Sequence, residues 1–358
     1  MRLRIGATLG IAAFLAVAAS SSARAAIGDC VTPPGDGFGV AGPYDTRTTT
    51  LPHPTVNVPP TRQAVVTTIA PADAPGPHPV IFWSHAFGAT EAVQYGGLMQ
   101  QLASNGYVVV HSTYQTPPLQ PFDIGLRYAQ LWAGFEKAVK ELRAELDMDL
   151  ERVGFAGHSF GAGASLVMFK RGVLERGWGS EGSFIAVFAP FRIEDFTAED
   201  AAAVPRTTKL LVEVFDDDET NDHRGAIEDI WKPLAESIRS VDRDYVLVHT
   251  AEHGDCRLTT NHSVPIEIAL AGGTAVLDDY DVWAVRRKVH GLAACAFDHD
   301  LRGCEISIGE ADPLQSEMGS WLSDGTPLDS LESLARPYPA NCGEGEPCQF
   351  PHATNPYH

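Results

Sequence analysis

Val153-Gly154-Phe155-Ala156-Gly157-His158-Ser159-Phe160-Gly161-Ala162-Gly163 decides the reading of this chain. Apolar residues run into Gly-X-Ser-X-Gly, and a helix-compatible run follows through Met168. A strand that turns sharply into a helix presents the serine at its tip as an exposed nucleophile. Strand and helix approach closely there, so Gly157 and Gly161 are needed for the Cβ atoms they lack. The pentapeptide alone is weak in a chain with 33 glycines, where a Ser/Gly turn without chemistry is common. Its placement between a strand and a helix makes Ser159 the expected nucleophile.

Outward from this elbow, short apolar strands alternate with longer helical stretches. Strands are expected at Gln63–Ile69, Val80–Ser84, Tyr107–Val110, Arg152–Ala156, Phe184–Phe188, Lys209–Phe215 and Tyr245–His249. Helical spacing is read over 90–105, 126–147 and 225–238, with further helices within 263–294. The alternation predicts an α/β fold of three layers, a mostly parallel central sheet covered on both faces. Residues 26–62 read as an irregular lead-in, 63–294 as the catalytic domain, and 295–358 as a cysteine-containing, disulfide-tied C-terminal appendage. Bracing is its expected role, and overhanging the pocket is the rival.

A protonated hydroxyl is a poor nucleophile, so Ser159 needs a base and an acid to orient that base. Two later loops fit. One strand leads into Asp216-Asp217-Asp218-Glu219-Thr220-Asn221-Asp222, and the next into Thr250-Ala251-Glu252-His253-Gly254-Asp255-Cys256. His253 is the expected base and Asp218 the expected acid, with Asp222 and Asp217 as alternatives. His249 reads as part of its strand, and His262 lies farther along. The acidic loop is also open to simple solvation or Ca²⁺ binding, but it lacks EF-hand spacing. For the oxyanion, the expected N–H donors are Phe160, directly after the serine, and Phe87, after the Val80–Ser84 strand. His85 reads as structural or pocket-lining.

Trp83-Ser84-His85-Ala86-Phe87-Gly88, Leu102-Ala103-Ser104-Asn105-Gly106-Tyr107-Val108-Val109-Val110 and Gly157-His158-Ser159-Phe160-Gly161 together resemble the α/β-hydrolase superfamily. Within it, the chain is similar to the lidless branch of cutinase-like polyesterases, chlorophyllases and platelet-activating-factor acetylhydrolases, over roughly residues 63–262. The resemblance implies a serine esterase whose matching positions are Ser159, His253 and Asp218, with oxyanion donors Phe87 and Phe160. Cutinase-like polyesterases usually carry a Ser-Pro-Gly-aromatic turn where this chain has Ser84-His85-Ala86-Phe87. The implied reaction is hydrolysis of small acyl, lipid or polyester carboxylic esters through an acyl-enzyme, and it calls for no metal or organic cofactor. Amide hydrolysis or acyl transfer by the same triad is the alternative reaction. A non-catalytic secreted binding protein on the same scaffold is the alternative class.

Arg2 and Arg4, the apolar run Ile5–Ala19 and Ala23-Arg24-Ala25 read as a signal peptide over 1–25, which points to a secreted or periplasmic protein. The formal charge is −20, and loss of three arginines with the signal makes it −23. Such a surface argues against nucleic acid and anionic membranes as partners. No later stretch is long and apolar enough to span a bilayer, and a monomer is expected. In an oxidising compartment the six cysteines should pair. Short separations suggest Cys295–Cys304 and Cys342–Cys348, leaving Cys30–Cys256 by elimination. Zinc is the rival, but the spacings match no tight metal knuckle.

Overall fold

Val80 and Phe82 of the strand His78–Ser84 enter one apolar core, while Ile81 and Trp83 between them enter the other. Successive side chains of a strand point to opposite faces, so a strand apolar at every position must be covered twice. The same alternation holds in its neighbours: Val108 and Val110 against Val109, Val153 and Phe155 against Ala156, Ile185 and Val187 against Ala186 and Phe188. The computed structural model that shows this describes residues 26–56, 64–115, 123–269 and 273–340.

The strands are β1 (Thr46–Pro52), β2 (Val65–Pro71), β3 (His78–Ser84), β4 (Val108–Ser112), β5 (Met148–His158), β6 (Gly182–Phe188), β7 (Lys209–Phe215) and β8 (Arg243–Val248). A small hairpin follows, β9 (Ala251–His253) with β10 (Cys256–Leu258), and β11 (Leu331–Ser333) comes last. The main sheet has nine strands in the order β1-β2-β4-β3-β5-β6-β7-β8-β11. Strands β4, β3, β5, β6, β7 and β8 are mutually parallel, and β1, β2 and β11 join antiparallel at the edges. The α/β class and mostly parallel sheet expected from the sequence are therefore present.

Helix α1 (Gly96–Ser104) and the helix Arg287–Phe297 cover one face, and α2 (Ile124–Leu142) and α3 (Phe160–Phe169) cover the other. The stripe Ile124, Tyr128, Leu131, Phe135, Ala138, Leu142 explains why α2 packs: steps of four and three keep one face apolar. Asp123 starts the helix by accepting the Leu126 N–H at 2.8 Å.

Chain order reverses around β3, with β4 on one side and β5 on the other. In open parallel sheets the crevice outside the carboxyl ends of the strands at such a switch point is where ligands bind. Ser159 directly follows β5 and the loop from His85 directly follows β3, so both flank that crevice.

Two expected boundaries need correction. The lead-in over 26–62 contributes β1 to the sheet and buries Cys30 and Val31 in the second core. The appendage expected from 295 is not separate. Cys295 lies inside a buried helix, and Phe297, Ile308, Met318, Trp321, Leu328 and Leu331 fill the same core. Strand β11 even extends the main sheet beside β8. Polar, Pro/Gly-containing sequence hid these apolar anchors because they are spaced too irregularly to show a period.

Cys295–Cys304 and Cys30–Cys256 are both bonded. The Cys342–Cys348 pair and the signal segment 1–25 lie outside the described residues. Among the described residues, no helix is long and apolar enough to cross a membrane.

Candidate active site

Ser159 sits between β5 and α3 at φ +58° and ψ −121°, a conformation costly for any residue with a Cβ. Besides the first-turn bonds of α3, backbone hydrogen bonds to the segment after β6 hold it there. Its N–H donates to the Phe188 carbonyl at 2.9 Å, and its carbonyl accepts the Phe191 N–H at 2.9 Å. The flanking glycines are required by contact rather than by backbone angle. A Cβ on Gly157 would stand 2.5 Å from the Gly161 carbonyl oxygen, and one on Gly161 would collide with the Ser84 carbonyl of β3. The pentapeptide is thus the packing condition of the elbow.

His262 Nε2 lies 2.8 Å from Ser159 Oγ, and His262 Nδ1 lies 2.9 Å from Asp218 Oδ2. The carboxylate needs Nδ1 to be the protonated nitrogen, which leaves Nε2 as an acceptor for the serine proton. Asp218 Oδ1 is itself fixed, accepting the Thr220 N–H at 2.7 Å and the Asn221 N–H at 3.0 Å. The Asp218 side chain is fully buried and that of His262 is 15% exposed. An orienting acid inside and an imidazole at the rim is an arrangement that can deprotonate a hydroxyl facing solvent-borne substrate. Asn221 adds a long 3.5 Å contact from Nδ2 to Ser159 Oγ while donating to the Ala189 carbonyl at 2.6 Å.

The expected base is corrected by this geometry. His253 closes β9, stacks on Trp321 and bonds Asp324 at 2.9 Å, away from Ser159. Among the three acids, Asp218 is the one facing the imidazole. Asp222 caps the next helical turn and pairs with Arg224, and Asp217 accepts the Thr250 hydroxyl at 2.6 Å. His249 bonds Asp216 at 2.8 Å, which helps pin the loop that carries His262. That loop is anchored a second time through Cys256, tied to Cys30, whose segment delivers the Gly28, Cys30 and Val31 N–H groups to Asp279.

Phe160 N–H opens α3, where helix geometry concentrates positive partial charge. Across the crevice, the loop after β3 is stiffened by His85. Its Nδ1 donates to the Ala86 carbonyl at 2.7 Å, its Nε2 accepts the Tyr114 N–H at 3.3 Å, and its ring stacks on Tyr114 at 4.1 Å. Burial pushes the His85 pKa down to about 4, so it stays neutral and is committed on both nitrogens. Phe87 follows and is 48% exposed. The Arg127 guanidinium lies 5.3 Å from the Phe87 ring centre and 5.9 Å from that of Phe160. Arg127 therefore lies against the side chains of both expected oxyanion donors, a neighbour the sequence reading did not single out.

Compared with known proteins, the chain matches no family model and no curated protein sequence.

Proposed function

We propose that this protein is an exported serine hydrolase that cleaves carboxylic esters through an acyl-enzyme, on an α/β-hydrolase scaffold. The observation that carries the reading is the line from Ser159 Oγ through His262 to Asp218, at 2.8 and 2.9 Å. His262 takes the serine proton as Oγ attacks the ester carbonyl, and Asp218 stabilises the imidazolium that forms. The N–H groups of Phe160 and Phe87 receive the oxyanion. Collapse of the tetrahedral intermediate breaks the ester C–O bond, and His262 gives its proton to the leaving alcohol. Water, deprotonated by His262, then attacks the acyl-enzyme, releasing the acid and restoring Ser159.

Two further features support the scaffold reading: the serine stands at the switch point of the sheet, and it occupies a strained strand-to-helix elbow. Export is supported by two disulfides, which persist in oxidising compartments. The reaction is tested by offering aryl and alkyl esters of increasing acyl length, one polymeric ester, and the matched amides. Turnover of esters well above the amides is expected. Amide turnover equal to that of the ester would contradict the ester assignment.

A further inference from the structure

His158, the residue just before the nucleophile, is completely buried and bonded at both ring nitrogens. Its Nε2 lies 2.7 Å from the backbone carbonyl of His262, and its Nδ1 lies 3.3 Å from the Tyr95 hydroxyl. Tyr95 in turn accepts the Ala86 N–H at 3.0 Å. The ends of this chain set the direction of every proton in it. A carbonyl only accepts, so His158 Nε2 carries hydrogen; in the neutral ring Nδ1 is then an acceptor, so the Tyr95 hydroxyl donates to it while the Tyr95 oxygen accepts the Ala86 N–H. The result is one unidirectional series: Ala86 N–H to Tyr95 O–H to His158 to the carbonyl of His262. It joins the loop that carries Phe87 to the residue that faces Ser159, passing beneath the nucleophile.

We propose that His158 and Tyr95 are positioning residues, which hold the proposed base His262 in register with the oxyanion loop through this buried series of hydrogen bonds. The inference rests on the hydrolase reading for its catalytic consequence, but not for the contact itself. Other ties hold neighbouring backbone: Glu267 accepts the Gly97 and Leu98 N–H groups at the start of α1, and its own N–H donates to Gln94. Among the described residues, His158 is the side chain that reaches the His262 carbonyl itself. The two imidazoles are 4.9 Å apart. Burial, reinforced by the charge of His262, holds the His158 pKa well below its ordinary value. His158 thus stays neutral while His262 takes up a proton, and the series keeps its direction through the reaction.

The test compares Tyr95→Phe, His158→Leu and His158→Gln with the parent in the full chain. It measures kcat and KM for an aryl ester, thermal unfolding, and the low-field proton resonance of the His262 Nδ1–H bonded to Asp218. Small misplacements of a catalytic group cost rate steeply, so kcat should fall about 10- to 100-fold in Tyr95→Phe and His158→Leu, with KM within about twofold. His158→Gln keeps an N–H that reaches the carbonyl and should recover much of the loss. Parent-like kcat in folded Tyr95→Phe would overturn the proposal, as would a loss confined to KM. Should His158→Leu not fold, Tyr95→Phe and His158→Gln decide. If the parent is no more active than Ser159→Ala, the hydrolase reading fails, and the His262 resonance alone decides: displaced in Tyr95→Phe as proposed, or unchanged, which refutes it.

Discussion

His262 and Asp218 are 44 residues apart in sequence and 2.9 Å apart in space, on loops that follow β8 and β7. Because Asp218 also accepts two backbone N–H groups, its carboxylate cannot rotate to follow another partner. Replacing Asp218 with Asn keeps the volume and presents the wrong donor to Nδ1. Ester turnover should fall roughly 10³- to 10⁴-fold with folding preserved. Asp222→Asn should stay within a few-fold of the parent. Steady-state kinetics on both variants checks this, and equal mild losses would contradict the assignment.

Histidine identity makes a second test. His262→Ala should abolish measurable ester turnover, whereas His253→Ala, which removes a partly exposed stack on Trp321, should leave kcat within about twofold. The opposite ranking would restore the base expected from sequence.

Gly161→Ala probes the elbow as packing. The added methyl would meet the carbonyls of Ser84 and His85, backbone atoms of β3 and the loop after it that cannot move aside alone. A loss of about 1–3 kcal/mol or more is expected, read as a lower melting temperature together with lost activity. An unchanged melting transition would mean that strand and helix are not so closely packed.

The segment Asp278–Asp281 gives the fold a pH dependence. Burial pushes the Asp278 pKa up to about 7, and holds Asp279 and Asp281 above the usual carboxylate range as well. For Asp278, whose folded pKa exceeds its unfolded one, the contribution is fully present below about pH 4 and is lost as pH rises through about 7. Asp278→Asn cannot ionise. It should match the parent near pH 4 and exceed it near pH 8, by an amount on the order of a few kcal/mol. Unfolding in denaturant at the two pH values checks this; a gap independent of pH would contradict it.

Much of this architecture was legible because parallel strands are apolar at every position. Val108-Val109-Val110 and Phe184–Phe188 show themselves without a partner in view. Strand β1 was not legible, since it is an exposed, threonine-rich edge with no apolar face. The histidine that faces Ser159 was not legible, for a local reason. Gly254-Asp255 is a two-residue turn, with His253 paired to Cys256 across it, so His253 belongs to a hairpin. Recognising Gly-Asp as that turn moves the search past Leu258, where the next histidine is His262. Asp218 was within reach because a carboxylate two or three residues beyond a parallel strand sits at the sheet's carboxyl edge. The His158–Tyr95 series was invisible, because its partners are joined only when β3, β5 and the base loop come together.

The proposed reaction requires Ser159 Oγ to be made nucleophilic by His262. The most direct measurement is covalent labelling of the folded chain by a serine-directed fluorophosphonate, with the modified residue located by mass spectrometry. Stoichiometric labelling at Ser159, lost in Ser159→Ala and in His262→Ala, is the predicted result. A folded parent that does not label, or that labels as fast without His262, would contradict it.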